Sequence, residues 1–291
     1  RPVEGSSQAP LSLVPDKIES IPLDYDISQI FPVSEDWVES VSLYLESTAG
    51  KDTELSVEFL PASDIWSFND LPKTIRRSKI TVPQEYHGWI TFSIDSKVAG
   101  GKLYRINVYA CHGIRWRLSR PVPGVSIARK KPDWKRWDGS IHRPCAMQIN
   151  PPSFPFPASN ITNGVARPEK WTNIWISDPR KSLPQSVILS LGKQQKFNTL
   201  YISFDTFLIE DFRYLPPAYR FPECVRDYRV FIGSNKKWKE ILRVEDNYQR
   251  RRIHSFPPVI SDRIKLEIIR TNGDKSARVY EIRIYREGNK K

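Results

Sequence analysis

The sequence predicts an all-β chain made of two antiparallel β-sandwiches in tandem, and three observations predict it. Apolar residues recur at every second position in one run after another, the period that turns one face of a strand toward a core. The runs are short and are closed by Gly, Pro, Asn or Asp, the residues that reverse a chain. No segment sustains the 3.6-residue period of an amphipathic helix, which favours sandwiches over helical or βαβ architectures. At 291 residues, 39% of them hydrophobic, the chain has the length and apolar content for two such cores.

Residues 1–18 begin rich in Ser and Pro, show no apolar period, and read as a tail or linker. Residues 19–120 read as the N-terminal sandwich. There Val41, Leu43 and Leu45 alternate with Ser42 and Tyr44, and Leu55, Val57 and Phe59 alternate with Ser56 and Glu58. Further strands are expected over 80–82, 89–94 and 103–110, separated by turn signals at 48–52 and 99–101. Residues 121–157, basic and interrupted by Pro121, Pro123, Pro132, Pro144 and Pro151, read as a connector. Residues 158–288 read as the second sandwich. Its strands are marked by Val187, Leu189 and Leu191; Leu200, Ile202 and Phe204; Tyr228, Val230 and Ile232; Ile264, Leu266 and Ile268; and Tyr280, Ile282 and Ile284. Weaker strands around Trp238 and over 252–256 bring the number to about eight, which suits a jelly roll.

Composition narrows the chemistry. Three cysteines, Cys111, Cys145 and Cys224, form no CxxC pair, so they allow one disulfide at most and no zinc site. The histidines His87, His112, His142 and His254 lie in separate segments without metal-ligand spacing. No apolar run approaches the roughly 20 residues of a bilayer span. The first residue is Arg1 and the only methionine is Met147, so the expectation is a processed product or a fragment of a longer chain. The 13 glycines never form GxGxxG after a strand, and no GxSxG elbow occurs. Glu210 and Asp211 are the carboxylate pair considered for catalysis, and adjacent residues in a loop lack the opposed geometry of a glycosidase. A net charge of +12, from 45 basic and 33 acidic residues, favours an acidic partner.

The second half resembles the discoidin, or coagulation-factor C-type, module of the galactose-binding-like superfamily. The resemblance is carried in order by Asn160-Ile161-Thr162-Asn163-Gly164 followed by Trp175, by 184–192 ending in Gly192, by Phe197-Asn198-Thr199-Leu200, and by the closing strand 277–285. A narrower resemblance, carried by 163–168, 222–228, 247–252 and 271–274, is to the C-terminal accessory region of bacterial FAD-dependent oxidoreductases. It implies FAD only through a domain upstream of Arg1, onto which both sandwiches would dock. The discoidin resemblance implies a discoidin-like jelly roll with Trp175 in its core and ligand-bearing loops at one end. It also implies a structural calcium, for which the matching positions are Asn163 and Glu281. Asn163 stands where the family usually has Asp, and an ion such as calcium binds less tightly as carboxylates are lost.

On those loops, Arg167, Glu169 and Trp171 place charged groups beside a ring able to stack on a sugar. Trp171 has the alternative of packing against the proline-rich segment or the other domain. The run from Asn247 to His254 adds Tyr248, Arg250, Arg252 and His254. Strand alternation puts Arg250 and Arg252 on one face with His254 and leaves Arg251 on the other. Guanidinium groups there suit carboxylate, sulfate or phosphate, and the alternative is pairing with Glu240, Glu245 or Asp246. The basic, Trp-rich stretch 115–137 reads as a contact surface for another domain or an acidic glycan. It lacks any nucleic-acid motif, so nucleic acid is not expected as a partner. Three functions are weighed: a non-catalytic glycan-binding or substrate-positioning region of a larger, exported bacterial enzyme, periplasmic or extracellular; a structural region docked on an oxidoreductase domain; and a free-standing enzyme. The first is the leading expectation, with a glycan and an upstream domain as partners.

Overall fold

The computed structural model describes residues 3–5, 7–131, 133–139, 143–206, 220–234 and 237–288. They fall into two compact units built from antiparallel strands, so the all-β class expected from the period of two is the class observed. One unit gathers Pro10–Pro155 and Pro168–Thr172. The other gathers the described residues of Arg1–Ala9, Phe156–Arg167 and Asn173–Lys291. Among the described residues no helix is long and apolar enough to cross a membrane.

β1 (Val3–Gly5) belongs to the C-terminal unit. The N-terminal sandwich is built from β2 (Ser20–Pro22), β3 (Asp26–Val33), β4 (Trp37–Ser47), β5 (Thr53–Ala62), β6 (Arg76–Val82), β7 (His87–Lys97), β8 (Lys102–Val108), β9 (Ile114–Arg117), β10 (Ser126–Lys130) and β11 (Met147–Asn150). One sheet runs in the order β10-β3-β8-β5-β6. In the other, β4 pairs with β7 along one edge and with β9 and β11 along the other, and β9 continues to β2. Alternate residues of both sheets, among them Phe31, Val41, Leu43, Phe59, Phe92 and Trp116, meet in one core.

Residues 121–157 are not a connector. β10 pairs with β3 from Ser126 opposite Ile30 to Lys130 opposite Asp26, and β11 pairs with β4 from Met147 opposite Leu43 to Asn150 opposite Ser40. Ile127, Cys145, Met147 and Ile149 are core residues. These strands have five and four residues, too few to display a period. The prolines lie outside them, where no ladder hydrogen bond is lost. Nor are residues 1–18 a tail. Leu13, 2% exposed, bridges to Met147, and Leu11 N–H donates to Ser153 O at 2.8 Å.

The C-terminal sandwich consists of β1 with β12 (Trp175–Ile176), β13 (Gln185–Phe204), β14 (Val225–Ser234), β15 (Lys237–Val244), β16 (Arg251–Thr271) and β17 (Arg278–Tyr285), in the order β12-β17-β13-β16-β14-β15 with β1 beside β13. β13 and β16 are 20 and 21 residues long and each absorbs two of the runs expected as separate strands. Residues 185–190 pair with β1 and the far half of β16, whereas 199–204 pair with β17 and the near half of β16. Register shifts between Ser190 and Gln195 and between Phe197 and Thr199 mark where the paired strands bend. Gly192 adopts φ +77°, a left-handed conformation that a side chain would strain. Both halves deliver residues to one core, including Val187, Leu189, Leu200, Ile202, Tyr228 and Leu266. Trp175 is fully buried there, and its Nε1–H donates to Ser7 O at 2.8 Å.

Candidate functional site

At one end of the C-terminal sandwich, β13 and β16 finish and β14, β16 and β17 begin, so several short segments converge. Asn247 ties them together. Its Nδ2 donates to Val225 O at 2.6 Å and to Gln249 O at 3.2 Å, and its Oδ1 accepts from Gln249 N–H at 3.1 Å and Arg252 Nη1 at 3.0 Å. Asn272 Nδ2 adds bonds to Cys224 O at 3.1 Å and Asn247 O at 3.0 Å. A buried amide that satisfies several backbone groups holds irregular chain in one conformation.

On β16, Arg252 and His254 turn inward while Ile253, 53% exposed, turns out, as strand alternation requires. His254 is 8% exposed, with Nε2 2.8 Å from Tyr228 Oη. Burial, with the Arg252 charge beside it, lowers the imidazole pKa from 6.5 to about 4, and burial raises that of the Tyr228 hydroxyl. His254 is therefore a buried imidazole, neutral near pH 7 and bonded to Tyr228. Arg250 precedes the strand. Its Nη2 donates to Ala166 O, its guanidinium carbon lies 5.7 Å from the Tyr280 ring centroid, and its Nε has no acceptor among the described residues.

Two of the three acidic partners considered for these arginines, Glu240 and Asp246, are engaged elsewhere. Glu240 pairs with Arg243 and Arg229, and Asp246 accepts both terminal nitrogens of Arg220 at 2.7 and 2.8 Å. Among the described residues neither Arg250 nor Arg252 makes an ion pair, whereas Arg251 faces the other way, 5.3 Å from the Tyr201 ring. Tyr248 stays on the surface, 43% exposed, with Arg220 5.9 Å over its ring.

Beside Arg250 lies a constellation that no spacing in the sequence reveals. Half-buried Arg278 donates to Asp205 Oδ2 at 3.3 Å and to Asp274 Oδ2 at 2.8 Å. Burial raises the Glu223 carboxyl pKa, and the charges of Asp205 and Asp274 add to that rise. Tyr280 is buried with a hydroxyl that has no partner among the described residues. Arg278 and Asp205 are 73 residues apart, which is why reading along the chain misses them.

Three expected site residues sit otherwise. Arg167 is exposed at the edge of the C-terminal unit, where its carbonyl accepts from Asn173 Nδ2 at 3.0 Å. Glu169 and Trp171 belong to the N-terminal unit. Glu169 O accepts from Ile65 N–H at 3.1 Å, and the Trp171 ring packs against a minor core of Ile30, Ile65, Phe68, Leu103 and Ala128. The packing alternative for Trp171 is the one observed, because a half-buried indole covers that apolar patch.

Asn163 and Glu281, the positions expected to share a calcium, both have partners within the protein. Arg283 Nη2 contacts Glu281 Oε1 at 2.5 Å and donates to Gly164 O at 3.2 Å, so a guanidinium ties Glu281 to the turn that follows Asn163. The Asn163 side chain is spent on Asn173 Oδ1 at 2.7 Å and Val165 N–H at 2.9 Å. Among the described residues no three His, Cys, Asp or Glu side chains gather as metal ligands, and Cys111, Cys145 and Cys224 are free thiols. Glu210 and Asp211 lie outside the described residues.

No family model and no curated protein sequence matches the chain. Solved structures similar to it include CpGH89CBM32-5 from Clostridium perfringens, in complex with GalNAc-β-1,3-galactose, at 16% identity and TM-score 0.36, covering 45% of this chain and 84% of that one. The family 32 carbohydrate-binding module of C. perfringens NanJ, in complex with galactose, is similar at 19% identity and TM-score 0.34, covering 45% and 85%. That of Streptococcus pneumoniae EndoD is similar at 17% identity and TM-score 0.32, covering 40% and 77%. At these identities and TM-scores the likenesses carry no argument about ligand or activity. The oxidoreductase resemblance gains no support from them.

Proposed function

We propose that the C-terminal sandwich is a non-catalytic glycan-binding module of the discoidin, galactose-binding-like type, and that the chain positions substrate for a larger, exported bacterial enzyme. The ordered motifs from Asn160 to Tyr285 support the type. The observation that carries the site is the pair Arg250 and Arg252: two guanidinium groups at a loop end, neither with a carboxylate partner among the described residues. A guanidinium fork there favours a carboxylated or sulfated sugar, and Tyr248 supplies an exposed ring beside it.

Calorimetric titration of the intact chain with glucuronate-, sialate- and sulfate-bearing oligosaccharides, and with galactose and GalNAc as neutral probes, tests the reading. Binding of an acidic probe that weakens with added salt, and at least tenfold on Arg250→Met with the melting temperature held, is the expected result. Absence of heat with every probe, or binding indifferent to Arg250→Met, contradicts it.

A further inference from the structure

The N-terminal sandwich carries a polar cavity that the loop-end site does not use. Its position follows from register. On the outer face of the sheet β10-β3-β8-β5-β6, pairing sets Arg77 opposite Glu58, Glu58 opposite Asn107 and Asn107 opposite Ser28, a polar row across four strands. The adjacent row, Leu60, Arg105 and Ile30, leads to the apolar patch under Phe68 and Trp137. Where the two rows meet, a cavity of about 290 Å³ opens, with Glu58, Arg105, Asn107, Tyr109 and Trp137 among its walls.

The floor is rigid and only partly satisfied. Glu58, 6% exposed, accepts from Thr74 Oγ1 at 2.5 Å, Tyr109 Oη at 2.8 Å, Arg77 Nε at 3.0 Å and Asn107 Nδ2 at 3.4 Å. Arg105, 3% exposed, donates to Ser67 O at 3.0 Å, Phe68 O and Asp70 O at 2.6 and 2.9 Å, which fixes the loop that forms one wall. Among the described residues, Asn107 Oδ1, on a side chain 6% exposed, and Arg105 Nε have no partner, and neither does Ser28 Oγ farther along the polar row. Asn107 Oδ1 wants a donor and Arg105 Nε an acceptor, and a buried polar group left without a partner is costly. Trp137 lines the same cavity, its backbone N–H donating to Asn69 Oδ1 at 3.0 Å next to the bridge between Arg129 and Asp138. Lys130 and Lys135 complete the rim.

We infer that this cavity binds a neutral saccharide ring. A sugar hydroxyl donates and accepts at once, which answers an unpaired acceptor beside an unpaired donor, and the ring's C–H face matches an indole wall. The volume sits at the lower end of small-molecule sites, enough for one or two sugar rings rather than an extended chain.

The test is saturation-transfer NMR of the intact chain carrying Arg250→Met, which removes the loop-end site from the reading, with the methyl glycosides of glucose, galactose and mannose. A saturable signal from at least one glycoside is expected, weakened at least tenfold by Asn107→Leu and several-fold by Trp137→Phe, a change that keeps an aromatic ring against the apolar patch. Where Asn107→Leu does not fold, crystals of the unsubstituted chain soaked in the same glycoside replace it, with a hydroxyl within hydrogen-bond distance of Asn107 Oδ1 expected. No signal with all three glycosides, a signal indifferent to folded Asn107→Leu, or water alone at Asn107 in the soaked crystal overturns the inference. Loss of acidic-glycan binding at Arg250 has no bearing on it, so the two sites fail independently.

Discussion

His254 shows what an alternating strand fixes and what it leaves to the fold. Its place on the inward face with Arg252 follows from the period of two, but Tyr228, its partner, comes from another strand and no local pattern announces it. The pairing has a pH signature. In the fold His254 protonates near pH 4, whereas in the unfolded chain it does so near 6.5. Between those values the unfolded state holds a proton that the fold lacks, so this residue's contribution to stability is present above pH 6.5 and lost as pH falls toward 4. Urea midpoints at pH 7 and pH 4.5 should therefore differ less for His254→Gln than for the unsubstituted chain. An equal difference in both contradicts a neutral buried imidazole. The arginines teach a related lesson. The run Arg250-Arg251-Arg252 is legible as a site, yet two of the acids nearest in sequence, Glu240 and Asp246, turn out to be engaged by Arg220, Arg229 and Arg243. Trp171 was legible only as an aromatic on a loop, and whether it stacks on a sugar or packs is decided by the apolar patch it covers.

At the scale of elements, long alternating runs were readable and short ones were not. β4 and β5 declare themselves because three apolar residues recur at every second position, whereas β10 and β11 each offer only one or two inward residues between prolines and charges. The same limit hid the length of β13 and β16. Gly192 and the Pro257-Pro258 pair look like turns, but the chain only bends there and resumes pairing with the same strand beyond the register shift. Membership of β11 in the core has a measurable consequence. Met147 is 3% exposed, paired opposite Leu43 and bridged to Leu13, so Met147→Ala is expected to cost about 2–5 kcal/mol in chemical unfolding. A connector residue would leave stability unchanged.

At the scale of the molecule, the order of segments along the chain differs from the order of the folded units. The first strand completes the C-terminal sandwich, while residues 168–172, from within the second half of the sequence, complete the N-terminal one. Period and composition locate strands but not the unit each joins, since β1 is three residues long and Pro168–Thr172 has no period at all. Deleting residues 1–9 removes β1 and the Ser7 contacts to Trp175 and Gln185. Hydrogen exchange should then accelerate along β13, while β3, β5 and β8 keep their protection; unchanged exchange in β13 would show that β1 contributes nothing.

The proposal that this chain holds glycans without transforming them meets its clearest trial on an array of several hundred acidic and neutral glycans, probed with the intact chain at two salt concentrations and read again after prolonged incubation. Retention of a defined subset, rich in carboxylated or sulfated sugars, weaker at high salt and chemically intact afterwards, is the expected outcome. A chain that retains no glycan, or that cleaves those it retains, contradicts the assignment.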